Sequence, residues 1–370
     1  MLLGLLAGHR RIEPRFVTER DWRSIEEIAA DHRLGPALHA RWGGSEDVPA
    51  PLRTQWASAY RTSAMTALGQ RRALLELAAS LAGKGIPSLA LKGSWLAWTL
   101  YDAPAERPMR DLDVLVPPGM AQEAWDTALA LGYSPAEPAL LPLAEWARRY
   151  KHLPALANAD GVLLEIHLRL WEEDRHHPPQ MESLFERAIA DETHRMLRYL
   201  SPADQFAHLA VHAVNAHHWD AGPLALLDLI RFAERAAPDW SAVWPRAQAE
   251  GWARPAALAV AVIDRWMQPG MLEESACPIR APEQLVGAAP ALIAKPSSVR
   301  ESDRAALKAA RGSLGNKLRR IAARRAHFGR TADYLKWLAS QAGEVAGSRA
   351  DPSAKARLAS ARALDAWLTG

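Results

Sequence analysis

Three acidic side chains and one glycine turn carry the chemistry that this 370-residue chain offers. Asp111 and Asp113 lie in Arg110-Asp111-Leu112-Asp113-Val114-Leu115-Val116, an alternating run closed by Pro117-Pro118, and its period of two predicts a strand. Side chains alternate faces along a strand, so both carboxylates point one way, about 7 Å apart, while Leu112, Val114 and Val116 point into a core. Two ionised carboxylates on one rigid element repel each other unless a cation joins them. A hard divalent ion such as Mg²⁺ takes one or two carboxylates together with phosphate oxygens. Val162 to Leu168 alternates in the same way, with Glu165 and His167 on one face and Leu164, Ile166 and Leu168 on the other. Laid beside the first strand, it adds Glu165 as a third acid and His167 as a candidate base or hydrogen-bond partner.

The complementary anion site is Lys92-Gly93-Ser94. It follows the apolar Ser88-Leu89-Ala90-Leu91 and opens Trp95-Leu96-Ala97-Trp98-Thr99-Leu100, a strand-turn-helix pattern. A helix starting at Gly93-Ser94 presents unpaired N–H groups and the positive end of its dipole to a phosphate, and Lys92 adds a full charge. The glycine that a P-loop needs four residues before its lysine is absent, since Ser88 stands there. Arg107 and Arg110 precede the acids and either neutralise a triphosphate or hold Asp111 by a salt bridge. His208 and His212 share ligand-like helical spacing, but no zincin glutamate accompanies them, so hydrogen bonding between helices is the expected role. His152 is expected near the cleft.

Lys92-Gly93, Leu96-Ala97, Tyr101, Arg107 to Val116 and Glu165-Ile166-His167 resemble the uncharacterised bacterial nucleotidyltransferase family of the polymerase-β-like superfamily. The resemblance continues through Leu200-Ser201-Pro202-Ala203-Asp204, His208 to His212 and Leu227-Asp228-Leu229, about residues 1 to 275. It implies Mg²⁺- or Mn²⁺-dependent transfer of a nucleoside monophosphate from an NTP, ATP being the expected one, with release of pyrophosphate. Carried over, Asp111, Asp113 and Glu165 bind metal, and Gly93 and Ser94 hold the nucleotide phosphates. The residues' own chemistry adds His167 as a further catalytic candidate and Lys92, Arg107 and Arg110 as candidate nucleotide contacts. A peptide, a small molecule and RNA all stay open as acceptor, and the alternative is a non-catalytic nucleotide- or partner-binding module on the same fold. Two departures stand out. Sixteen residues separate Ser94 from Asp111, so the loop around Pro104 to Pro108 must fold back, and Lys92 occupies a position where many superfamily members have a second glycine.

These elements need a scaffold. The fold class is α+β: a small mixed sheet of four or five short strands, flanked by N-terminal helices and a C-terminal all-α region. Residues 1–85 read as a helical arm, with a capped start at Thr18 and one long helix or two abutting ones from Leu52 to Ala82. Residues 86–175 form the α/β core. Residues 176–268 read as a helical domain with no strands after Trp171, residues 269–300 as a Pro-rich linker with one short helix, and residues 301–370 as basic helices.

Composition excludes some classes. With Cys277 as the one cysteine there is no intrachain disulfide and no cysteine-rich metal site, which fits a reducing cytoplasm. No apolar run approaches the ~20 residues that cross a bilayer, and His9-Arg10-Arg11 follows Met1 to Gly8 too soon for a signal peptide. The formal charge is +3, but residues 295–330 hold eleven Lys or Arg against Glu301 and Asp303, so the rest of the chain is net negative. That basic segment is the candidate contact for nucleic acid.

Overall fold

The computed structural model describes residues 1–8, 12–137, 141–171, 179–215, 218–297, 299–300, 303, 335 and 352–369. At the N-terminus, α1 (Leu2–Ala7) buries four leucines. The Asp21 N–H donates to Thr18 Oγ1 at 3.2 Å, capping α2 (Glu19–Asp31), whose Trp22, Ile25 and Ala29 face inward. After α3 (Gly35–Trp42), the stretch read as one helix or two is the single 34-residue α4 (Ala50–Gly83). Gly85, at φ 71°, then turns the chain into the sheet.

The sheet has seven strands in the order β3-β4-β5-β2-β1-β7-β6. Between β1 (Leu89–Ala90) and β2 (Asp111–Leu115) lies α5 (Gly93–Thr99), and α6 (Ala121–Ala130) follows. Next come β3 (Ser134–Pro135), α7 (Leu143–Arg149), β4 (Leu156–Ala157) and β5 (Leu163–His167). The long central strands β2 and β5 run parallel, whereas β1 pairs antiparallel with β2 and β4 antiparallel with β5, so the sheet is mixed. Leu112, Val114, Leu164 and Ile166 are buried beneath the central pair, and α6 packs on β5 with Ala124 and Ala128 inside. Small residues there let helix and sheet approach closely.

Two expectations need correction. Strands do not stop at Trp171: after α8 (Met181–Glu186) the chain forms β6 (Ile189–Ala190) and β7 (Arg198–Tyr199), and β7 pairs parallel with β1. Strands of two residues show no periodicity, and what fixes them is tertiary. Asp191 accepts from Arg71 of α4 and from the Tyr199 hydroxyl, each at 2.7 Å. The strand expected over residues 151–156 is regular only from Leu156, the start of β4; before it the chain runs beside β5 through an isolated bridge between His152 and His167 and a bond from the Leu153 N–H to the Ile166 carbonyl at 2.8 Å.

The helical part follows as α9 (Pro202–Asn215), capped by Ser201, then α10 (Pro223–Ala236), α11 (Trp240–Ala249) and α12 (Ala253–Trp266). The proline-rich 269–300 stretch folds as α13 (Met271–Glu274) and α14 (Glu283–Ile293), and α14 packs on α12 with Leu292 and Ile293 buried. Pro290 lies inside α14 and lacks the N–H that would meet the Val286 carbonyl; that carbonyl instead accepts from Trp266 Nε1 at 2.9 Å. Of the basic segment, Lys295 is buried against Asp220 at 2.9 Å and Arg300 is paired with Asp31 at 3.0 Å. Residues 301–302 and 304–334, with the helices expected near 303–311 and 316–343, lie outside the described residues apart from Asp303 and Leu335. The last expected helix is present as Pro352–Thr369. Among the described residues no helix is long and apolar enough to cross a membrane.

Candidate active site

The register of β2 against β5 sets the site: Asp113 stands opposite Glu165, and Leu115 opposite His167. Alternation then turns Asp113, Glu165 and His167 to one face, and one donor atom from each lies within 4.8 Å of the others. Asp111 shares that face but stands outside this closest group; it lines the adjoining cavity. Asp113 Oδ1 accepts from Lys92 Nζ at 2.8 Å and from His167 Nε2 at 2.7 Å. His167 Nε2 also lies 3.5 Å from Glu165 Oε2, and His152 Nε2 lies 3.8 Å from the same oxygen. A carboxylate only accepts, so Nε2 carries the hydrogen. His167 Nδ1 is then left buried without a partner. A metal-bound imidazole ordinarily donates its second nitrogen to an acceptor. His167 thus fits an orienting role towards the two carboxylates better than a ligand role.

Burial and charge split the acids. Burial raises the Asp113 carboxyl, but Lys92 and the His167 hydrogen bond overcome it and hold the group well below the usual range. Glu165 is also lowered, burial being outweighed by His167 and His152. Asp111 goes the other way: burial and the neighbouring Asp113 push it up to about 6. Burial works against the Lys92 ammonium, and Asp113 reverses that, so its pKa is raised. Burial lowers His152, with Glu165 opposing in part.

Lys92 is held at φ 46° and ψ −123°, a conformation natural to glycine and strained for any side chain. Its ammonium is directed at Asp113 in a buried ion pair, where the sequence reading had it on a phosphate. Gly93 admits no side chain, because a Cβ there would collide with Arg107 Nη1 and come within 2.7 Å of Met109 Cγ. The long loop does fold back, and it lands on the turn. Gly93 lines the cavity, whereas Ser94 is buried beneath it with an unpartnered hydroxyl.

Arg107 is committed elsewhere. Its Nε and Nη2 donate to Asp228 of α10 at 3.1 and 2.7 Å, and the Tyr101 hydroxyl donates to the same carboxylate at 2.7 Å. It therefore clamps the loop to the helical part, and neither Arg107 nor Arg110 pairs with Asp111. Arg110 is exposed beside the cavity.

The cavity measures about 260 Å³ and is lined by Lys92, Gly93, Arg110, Asp111 and Asp113 from the core. Arg33, from the turn between α2 and α3, and His212, from α9, line it as well, as do the paired Arg107 and Asp228 and Arg300. A family model described as uncharacterised nucleotidyltransferase matches residues 18–268. The chain belongs to that family. No curated protein matches it. The matched span runs from the α2 cap to just past the end of α12, so Arg33, the three acids, His212 and Asp228 all lie inside it.

Arg33, His212 and Asp228 were missing from the sequence-derived site. Asp228 had a readable signal, being the one charge in Leu224-Ala-Leu-Leu-Asp-Leu-Ile, and a buried charge requires a partner. Arg33 had none, since its place depends on how α2 and α3 meet the loop. His208 also departs from expectation: both ring nitrogens are buried without partners, and burial lowers its pKa well below the ordinary value. His212 is lowered likewise, by burial and then by Lys92.

Proposed function

We propose that this nucleotidyltransferase moves a nucleoside monophosphate from an NTP, with ATP expected, to a hydroxyl or similar group on an acceptor and releases pyrophosphate. The observation that carries the reading is the pairing of Asp113 with Glu165 across the central strands, with Asp113, Asp111 and the Lys92-Gly93 turn lining a cavity that Arg33 and Arg110 also line. The donor set suits a divalent ion: two carboxylates face each other, and the ammonium on Asp113 marks where positive charge is required. Asp113 and Glu165 would hold Mg²⁺ or Mn²⁺, with Asp111 as the third carboxylate. The bound ion supplies charge to the phosphates and lowers the pKa of an acceptor hydroxyl. Lys92, Arg33 and Arg110 provide positive charge for the triphosphate and for the departing pyrophosphate. His167 fixes the orientation of Asp113 through Nε2–H.

The test incubates the protein and a cell extract with each of the four NTPs labelled at the α-phosphate, in Mg²⁺, Mn²⁺ or EDTA. Label transfer that EDTA abolishes is the expected result. Nucleotide binding indifferent to metal and unaccompanied by transfer would replace the enzyme with a binding module.

Asp111 gives the reaction a pH signature. Its folded-state pKa of about 6 exceeds the ordinary 3.8, so the folded protein holds a proton that the unfolded chain has released. In the metal-free protein this residue's contribution to stability is therefore lost as pH rises from 3.8 to about 6. A cation competes with the same proton. Mn²⁺ affinity, followed by calorimetry, should fall about tenfold per unit below pH 6, and Asp111→Asn should flatten that dependence.

A further inference from the structure

A second cavity, of about 570 Å³, opens between α2, α3 and α4 and shares Arg33 and Pro108 with the cavity above the acids. Its volume falls within the roughly 300–1,000 Å³ of small-molecule sites. The residues around it are mostly short, among them Ala29, Ala59, Thr62 and Thr66, with Trp56 as the aromatic wall. Packed interiors leave few such spaces. Ser63 also lines it, and its buried hydroxyl has no hydrogen-bond partner among the described residues. Buried polar groups ordinarily find a partner, so the Ser63 hydroxyl marks a place for a polar group of a ligand.

We propose that this cavity seats the acceptor, a small molecule with an apolar body, whose hydroxyl reaches past Arg33 and Pro108 to the carboxylates. The assignment rests on the nucleotidyl-transfer reading of the neighbouring cavity. In the step, the acceptor oxygen bonds to the α-phosphorus while the bond from that phosphorus to the β-bridging oxygen breaks. Pyrophosphate leaves with that electron pair, and the hydroxyl proton passes to water. An RNA end is the poorer fit, because Arg33 is the one basic residue in the lining and Glu26 opposes it.

The experiment uses 2-naphthol as probe, with saturation-transfer NMR for the probe and calorimetry for ATP with Mn²⁺. Thr62→Trp and Ala59→Leu fill the cavity without touching the acids, and circular dichroism verifies their folding. Expected are 2-naphthol binding to the wild-type chain, at least tenfold weaker binding in both variants, and ATP affinity unchanged within twofold. No binding to the wild type, or equal binding to both folded variants, overturns the proposal. Asp113→Asn should do the reverse, losing ATP with Mn²⁺ and keeping 2-naphthol. A wild type that binds 2-naphthol but no nucleotide sinks the transfer reading while leaving the apolar site standing. Label from ATP that enters RNA or protein, and not the fraction under 1 kDa, overturns the small-molecule acceptor.

Discussion

Asp113→Asn should cut label transfer by about 10³-fold in a protein that still folds. Removing one preorganised electrostatic group from a water-poor site costs about 10²–10³ in turnover, and Asp113 serves two ends, facing Glu165 in the metal pair and anchoring Lys92. Asparagine keeps the shape and one accepting oxygen, so His167 retains its hydrogen bond. Lys92 keeps Asp111 and Glu165 as neighbouring charges, which limits the loss of stability. Mn²⁺ titration should show weakened binding alongside lost transfer. Arg110→Ala is the contrast: an exposed arginine that only attracts phosphate should raise KM for the nucleotide and leave kcat close to wild type. Normal transfer by folded Asp113→Asn would remove the acids from the chemistry.

The second large effect concerns stability. Asp228→Ala should destabilise the protein by about 3–5 kcal/mol, because it strands the Arg107 guanidinium in a buried place. Burial works against that charge, and Asp228 more than offsets it, raising the arginine's pKa above its ordinary value. Urea unfolding reads the loss. Replacing both partners by apolar residues, Arg107→Met with Asp228→Leu, should recover most of it, since an apolar pair needs no countercharge. Tyr101→Phe removes one hydrogen bond to the same carboxylate and should cost about 1–2 kcal/mol. A loss below about 1 kcal/mol for Asp228→Ala would mean that Arg107 is not held by this pair, and would return it to the phosphate-binding role first expected of it.

Much of the site could be read directly from residue order. Alternation put Asp111 with Asp113 and Glu165 with His167, and a parallel register between β2 and β5 turned the two pairs to one face. Capping residues located α2 and α9. The same rules failed where elements were too short to repeat: β6 and β7 hold two residues each, and their pairing follows from Arg71, Asp191 and Tyr199 meeting in space. Proline counts left room for one short helix in residues 269–300, whereas α14 runs through Pro290 because Trp266 Nε1 takes the carbonyl that the missing N–H leaves free.

The order of residues by itself determined which side chains share a face, since the two-residue period of an extended chain is local geometry. It also marked Lys92 as an oddity in a glycine position. Only the folded chain decided which charge each cation would meet. Lys92 turned to Asp113 and Arg107 to Asp228, while Arg33 arrived from a distant turn to stand between the two cavities. The reason is physical: a buried charge takes whichever opposite charge packing brings within reach, and packing depends on contacts between residues far apart in the chain.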